Sequence, residues 1–128
     1  MPSPRMTNSR AKGCRGEREV RDLLREAGFE ARRGQQFSGG SDSPDVICPS
    51  LPEIHIEVKR VQTGNPYNWM EQATKDAGKK IPTVWHKRNG KKWLAILPAE
   101  EFLTILRRSD LVAVSPAELT EDEIVRVY

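Results

Sequence analysis

A chain of 128 residues is one domain by length, with material for a single two- or three-layer core. No apolar run approaches a membrane span, the start Met1-Pro2-Ser3-Pro4-Arg5 lacks the apolar stretch of a signal peptide, and Cys14 and Cys48 form no metal-ligand pair; the expectation is an intracellular protein with reduced thiols. The net charge of +3 is uneven: residues 117–128 carry −3 (Glu118, Glu121, Asp122 and Glu123 against Arg126), which leaves +6 on the first 116 and suits an acidic partner, nucleic acid being the usual one.

Residues 1–10 are rich in Pro, Ser, Asn and Arg without periodicity and read as a basic, flexible arm. From roughly Gly13 to Ala27 the pattern is helical. Val20, Leu23, Leu24 and Ala27 recur at i, i+3, i+4 and i+7, and Gly28 sits where a C-terminal cap belongs. At about 100° per residue, Glu17 lies roughly 70° from the centre of that stripe and Glu19 roughly 90° on its other side, so helical geometry alone does not choose between them. Phe29 to about Arg33 is the first expected strand. Gln35 to Ser43 is a small, polar, Gly-rich loop, read either as a plain connection or as a flap whose amides and hydroxyls meet phosphates. It runs straight into Pro44-Asp45, which favours the flap.

Pro44-Asp45 is followed twelve residues later by Glu57-Val58-Lys59. The stretch Ile54 to Lys59 alternates, with Ile54, Ile56 and Val58 on one face and His55, Glu57 and Lys59 on the other. Carboxylates on neighbouring strands, brought together by pairing, suit a hard divalent cation. A lysine one pleat from the second carboxylate suits orienting the attacking water or stabilising charge on phosphorus. The competing reading is a half-buried antiparallel strand with a solvated outer face. His55 shares the carboxylate face, but a strand histidine with a satisfied hydrogen bond is the commoner case.

Asn65-Pro66 starts a helix that should run to about Ala77, with Gly78 closing it; Trp69, Ala73, Asp76 and Ala77 share a face with Gln72. Ile81–His86 and Lys92–Leu97 read as strands joined by a turn centred on Asn89-Gly90, whose basic tip fits either a protected sheet edge or a DNA contact. His86 reads as structural, and Trp69, Trp85 and Trp93 as core or interface. Pro98 opens a further helix through Phe102, Leu103 and Leu106, and Ser115-Pro116-Ala117-Glu118 has the form of a capping box.

The run Lys12-Gly13-Cys14-Arg15-Gly16-Glu17-Arg18-Glu19-Val20, with Leu23-Leu24 and Gly28-Phe29, resembles the opening helix of archaeal-type Holliday junction resolvases, members of the PD-(D/E)XK nuclease superfamily. The likeness continues through Ser38-Gly39-Gly40, Pro44-Asp45-Val46-Ile47 and Ile56-Glu57-Val58-Lys59, covering roughly residues 12–97. It implies an α/β fold: a central mixed β-sheet flanked by helices, with an αβββαβ restriction-endonuclease-like core, as a homodimer. Residues 11–110 would form the nuclease domain and 111–128 a C-terminal extension. By position in the motif the helical glutamate is Glu17. Asp45 and Glu57 would ligate Mg²⁺ (Mn²⁺ substituting), with the Val58 carbonyl adding an oxygen and Glu17 binding directly or through water, and Lys59 would handle the nucleophilic water. Ser38, Gly39 and Gly40 fall in the family's DNA-facing loop, and Gln72 matches a helical glutamine of some branches. Arg15, Arg32, Arg33, Lys87, Arg88, Lys91 and Lys92 would supply phosphate contacts. The implied activity is metal-dependent resolution of four-way DNA junctions by paired nicks leaving 5′-phosphate and 3′-hydroxyl ends. Other DNA structures (flaps, single strands, nicked duplex) or a non-catalytic binding module are the alternatives. Asn65-Pro66-Tyr67-Asn68-Trp69 departs from the archaeal pattern and is more similar to compact phage-encoded relatives.

Overall fold

The computed structural model describes residues 4–34 and 45–113, with the side chains of the first helix described from Ala11 onward. The chain divides into two compact units, Met1–Pro98 and Ala99–Tyr128. The first unit carries α1 (Pro4–Glu26), β1 (Arg32–Arg33), β2 (Val46–Ile47), β3 (Ile54–Lys59), α2 (Pro66–Ala77), β4 (Ile81–His86) and β5 (Leu94–Ile96). The αβββαβ order is therefore present, with one more strand after it.

The five strands lie in chain order, β1-β2-β3-β4-β5. Three pairings are antiparallel; β3 and β4 run parallel, joined by α2 as the crossover that parallel neighbours need. This is a mixed α/β sheet consistent with a restriction-endonuclease-like core. β3 is no half-solvated strand: His55, Ile56 and Glu57 are all buried, because helices cover both sheet faces. On one face Val20 and Leu24 of α1 pack with Ala31, Val46, Cys48 and Ile56, bordered by Val58, Trp85 and Trp93. On the other, Ala73 and Ala77 of α2 are buried, and Trp69 meets the ring of His86.

Several boundaries differ from the sequence reading. α1 begins at Pro4 rather than near Gly13, so the segment read as a flexible arm is helical backbone from residue 4. Proline suits the first turn, where its missing N–H costs nothing, and no further Pro or Gly follows until Gly13. The buried stripe is also narrower: Leu23 is 42% exposed and Ala27 is exposed, since the contact with the sheet runs along Gly16, Val20 and Leu24. β1 starts at Arg32, not Phe29. The Phe29 amide donates to the Leu24 carbonyl and the Gly28 amide to that of Arg25, with Gly28 at φ +95°, so Phe29 belongs to the helix cap.

α2 is as expected. Asn65 caps it, accepting from the Tyr67 amide at 2.9 Å, and Gly78 at φ +61° ends it. β5 is shorter than expected because register pairs His86 with Leu94, leaving seven residues between them. Within that connection Lys91 N–H donates to Arg88 O across a turn centred on Asn89-Gly90, with Gly90 at φ +73°.

The second unit contains α3 (Ala99–Arg107), with Glu100 and Glu101 in its first turn and Arg107 in its last, the arrangement the helix dipole favours. The expected boundary near residue 110 lies inside this unit. Ser115 to Glu118, like the loop Gln35–Ser43 and Pro44, lies outside the described residues. Among the described residues no helix is long and apolar enough to cross a membrane.

Candidate active site

The register of β2 on β3 assembles the centre. Val46 pairs with Ile56, and the Asp45 amide donates to the Ile56 carbonyl at 3.1 Å. Asp45 itself stands at the bend just before β2, opposite Ile56, and it is its carboxylate that reaches Glu57. Their side chains hydrogen-bond, and the Val58 amide donates to Asp45 Oδ2 at 2.8 Å. Glu17, buried on α1, adds a third carboxylate close enough to act on Asp45 through its charge. Burial first, then the charges of Glu57 and Glu17, push the Asp45 carboxyl up to about 7, against the opposing pull of the Val58 amide. Lys59 lies two residues beyond Glu57 on the same strand face and is half-buried.

The structure thus brings Glu17, Asp45, Glu57 and Lys59 to one region of α1, β2 and β3. It also separates Glu17 from Glu19, which periodicity did not. Glu17 is held by Arg33, whose Nη2 and Nε lie 2.8 and 3.0 Å from Oε2. Glu19 instead points along the same sheet face toward the β4–β5 connection: Trp93 Nε1 donates to it at 3.0 Å, with Arg60 Nε at 3.8 Å and Lys87 Nζ at 4.0 Å.

Glu57 has a second set of neighbours that the sequence did not assign. His55 Nε2 lies 2.9 Å from Glu57 Oε1, and Asp76 of α2 completes a group whose donor atoms all fall within 4.8 Å of one another. Asp76 in turn accepts from Gln72 Nε2 at 3.1 and 3.0 Å. The signal was present as Asp76 on the Gln72 face of α2 and His55 on the Glu57 face of β3. What was missing was the packing of one face on the other. An imidazole with two carboxylates suits a borderline transition metal better than Mg²⁺. With its ring nitrogen already on Glu57, His55 fixes that carboxylate's orientation.

The expected phosphate contacts divide. Arg33 is engaged by Glu17 and by Cys14 Sγ, Arg15 pairs with Glu19 at 3.4 Å, and Lys87 leans toward the same carboxylate. Arg32, Arg88, Lys91 and Lys92 are exposed. Gln72 is exposed and bonded to Asp76, while Ser38, Gly39 and Gly40 lie outside the described residues.

Comparison with known proteins agrees with this geometry at the level of family. No curated protein matches the chain. The model of one family, described as "Phage putative PDDEXK endonuclease", matches residues 8–126, which is nearly the whole chain and includes every element named above except the start of α1. The chain belongs to that phage endonuclease family.

Proposed function

We propose that this protein is a divalent-metal-dependent DNA endonuclease that cuts branched DNA, four-way junctions foremost, as a homodimer. The observation that carries the reading is the meeting of the Asp45 and Glu57 carboxylates, with Glu17 near enough to act on Asp45 through its charge and Lys59 on the same strand as Glu57. The donor chemistry fits a hard cation: three carboxylates crowd together, and one of them is pushed up to about 7 by burial and its neighbours' charge. Asp45, Glu57 and the Val58 carbonyl would hold Mg²⁺ or Mn²⁺, with Glu17 direct or through water. The ion, when bound, supplies Lewis acidity at the phosphate and lowers the pKa of the attacking water.

The chain's own groups do the rest. Arg33 keeps Glu17 aimed inward, and His55 keeps Glu57 from turning away. The Lys59 ammonium stabilises charge as it gathers on phosphorus. Exposed Arg32, Arg88, Lys91 and Lys92 contact phosphates without reading bases. A two-fold dimer would offer two such centres to the two like strands of a near-symmetric junction.

The test is cleavage of a mobile four-way junction and of its linear duplex in Mg²⁺, by wild type and by Asp45→Asn, Glu57→Gln and Lys59→Ala. Paired symmetric nicks in the junction alone, lost in all three variants while junction binding persists, are expected. Equal cutting of both DNAs would leave a nuclease without junction preference. Tight binding with no cutting in Mg²⁺ or Mn²⁺ would remove the catalytic reading.

A further inference from the structure

The cations of the β4–β5 connection point to two different places. Lys87 leans back toward Glu19 of α1. Arg88, Lys91 and Lys92 instead rim a cavity of about 460 Å³ on the α2 side of the sheet. Its interior is aromatic and apolar: Trp69 and His86 on the floor, and Leu94, 58% exposed, on the β5 wall. Gly64 and Pro66, at the approach to α2, complete its lining.

Both floor and rim are built in advance of any ligand. The indole of Trp69 lies against Gly64, where a Cβ would fall 2.4 Å from the ring and where φ is +146°, so glycine alone permits the contact. Its other neighbour is the His86 ring, 4.6 Å between centroids and tilted by 53°, and His86 is itself fixed by a 3.0 Å bond between Nε2 and the Val61 carbonyl. The turn that carries the cations is tied down as well. Arg60 Nη1 donates to Asn89 Oδ1 at 2.8 Å, and the Asn89 amide donates to Gln62 Oε1.

Position gives the cavity its meaning. His86 is the register partner of Lys59 on the adjoining parallel strand, so the floor lies one strand spacing, about 4.8 Å, from the lysine of the nuclease motif. We infer that this cavity is a nucleotide subsite: it receives one unstacked nucleotide of the strand being cut, its base against Trp69 and its phosphate among Arg88, Lys91 and Lys92. The inference rests on the DNA-endonuclease reading and sharpens its substrate. An aromatic platform with a cationic rim takes any base by its π-face and any phosphate by charge. Intact duplex must break a stack to enter, whereas a branch point, a gap or a single strand offers the nucleotide already free. Structure selectivity then arises in each protomer and needs no particular dimer geometry.

The experiment is binding of an oligothymidylate and of an intact duplex of equal length to the full chain in chelator, followed by anisotropy and by tryptophan fluorescence. Wild type should show indole quenching by the single strand. Trp69→Phe, which keeps a stacking ring, should lose most of that quenching although Trp85 and Trp93 remain, and should hold near-normal affinity. Trp69→Leu should weaken single-strand binding about tenfold and leave duplex binding within twofold. Lys91→Glu/Lys92→Glu, on exposed positions that do not threaten the fold, should reduce quenching at saturating single strand. Unchanged quenching in Trp69→Phe, or equal losses on both DNAs in a folded Trp69→Leu, would overturn the subsite. Wild-type cleavage of any DNA in Mg²⁺ is scored separately. Cutting with an indifferent Trp69 sinks only the subsite, and Trp69-dependent binding without cutting sinks only the nuclease.

Discussion

Burial, with the charges of two neighbouring carboxylates, pushes the Asp45 carboxyl up to about 7. In the unfolded chain Asp45 loses its proton near the ordinary 3.8; in the folded state it keeps it to about 7. Between those values the folded state binds the extra proton, so this group's contribution to stability is full below 3.8 and is lost as pH rises through 7. With chelator present, wild type is therefore expected to lose thermal stability between pH 5 and pH 8 relative to Asp45→Asn, which stays neutral throughout. Matching pH profiles from thermal unfolding would show that Asp45 ionises as an ordinary surface aspartate does. The residues that make this environment were unevenly legible. Asp45, Glu57 and Lys59 stand out because their spacing and alternation are local properties. Glu17 and Glu19 are two apart on one helix, and only the sheet beneath decides that the first meets Asp45 and the second meets Trp93. Asp76 lies nineteen positions after Glu57 in the sequence, and nothing short of the packing of α2 brings it to His55.

At the scale of elements, helix caps and strand alternation carried the most information. Asn65-Pro66 and Gly78 bound α2 where they were expected, and β3 and β4 match residue for residue, because each signal acts within one or two residues of itself. Elements bounded by tertiary contacts were harder. β1 is delayed by the cap that takes up Phe29, β5 is shortened by the seven-residue connection, and α1 is longer than its apolar stripe. The closest approach of α1 to the sheet is at Gly16, where a Cβ would stand 2.8 Å from Arg60 Cβ and 3.2 Å from Val58 Cγ1. Both are rooted close to the β3 backbone and cannot swing aside. Gly16→Ala should gain about 1 kcal/mol of helix propensity and lose about 1–3 kcal/mol to overpacking. The expected net is a destabilised protein by urea unfolding, with cleavage falling further than stability because the shifted helix carries Glu17 with it. A stabilised Gly16→Ala would mean that α1 rides higher on the sheet than described.

For the molecule as a whole, the order of strands in the sheet is the order of strands in the chain. Every sheet neighbour is thus the next strand along, and the longest detour between partners is the α2 crossover. The tie from α1 to the far end of the sheet is of another kind: Glu19 and Trp93 are 74 residues apart. Closing that loop costs chain entropy that no single hydrogen bond repays early, so the sheet should form first and this tie should latch afterwards. Trp93→Phe, which deletes the indole N–H, should then speed unfolding by about fivefold for a loss of about 1 kcal/mol, with refolding nearly unchanged. Comparable slowing of refolding in stopped-flow traces would place the latch in the nucleus instead. A late latch leaves one helix tied in two stages. Glu17 is held to β1 by Arg33, sixteen residues away, whereas Glu19 waits for Trp93, so α1 is pinned at one end of the sheet before the other and the latch sets its final angle across the strands.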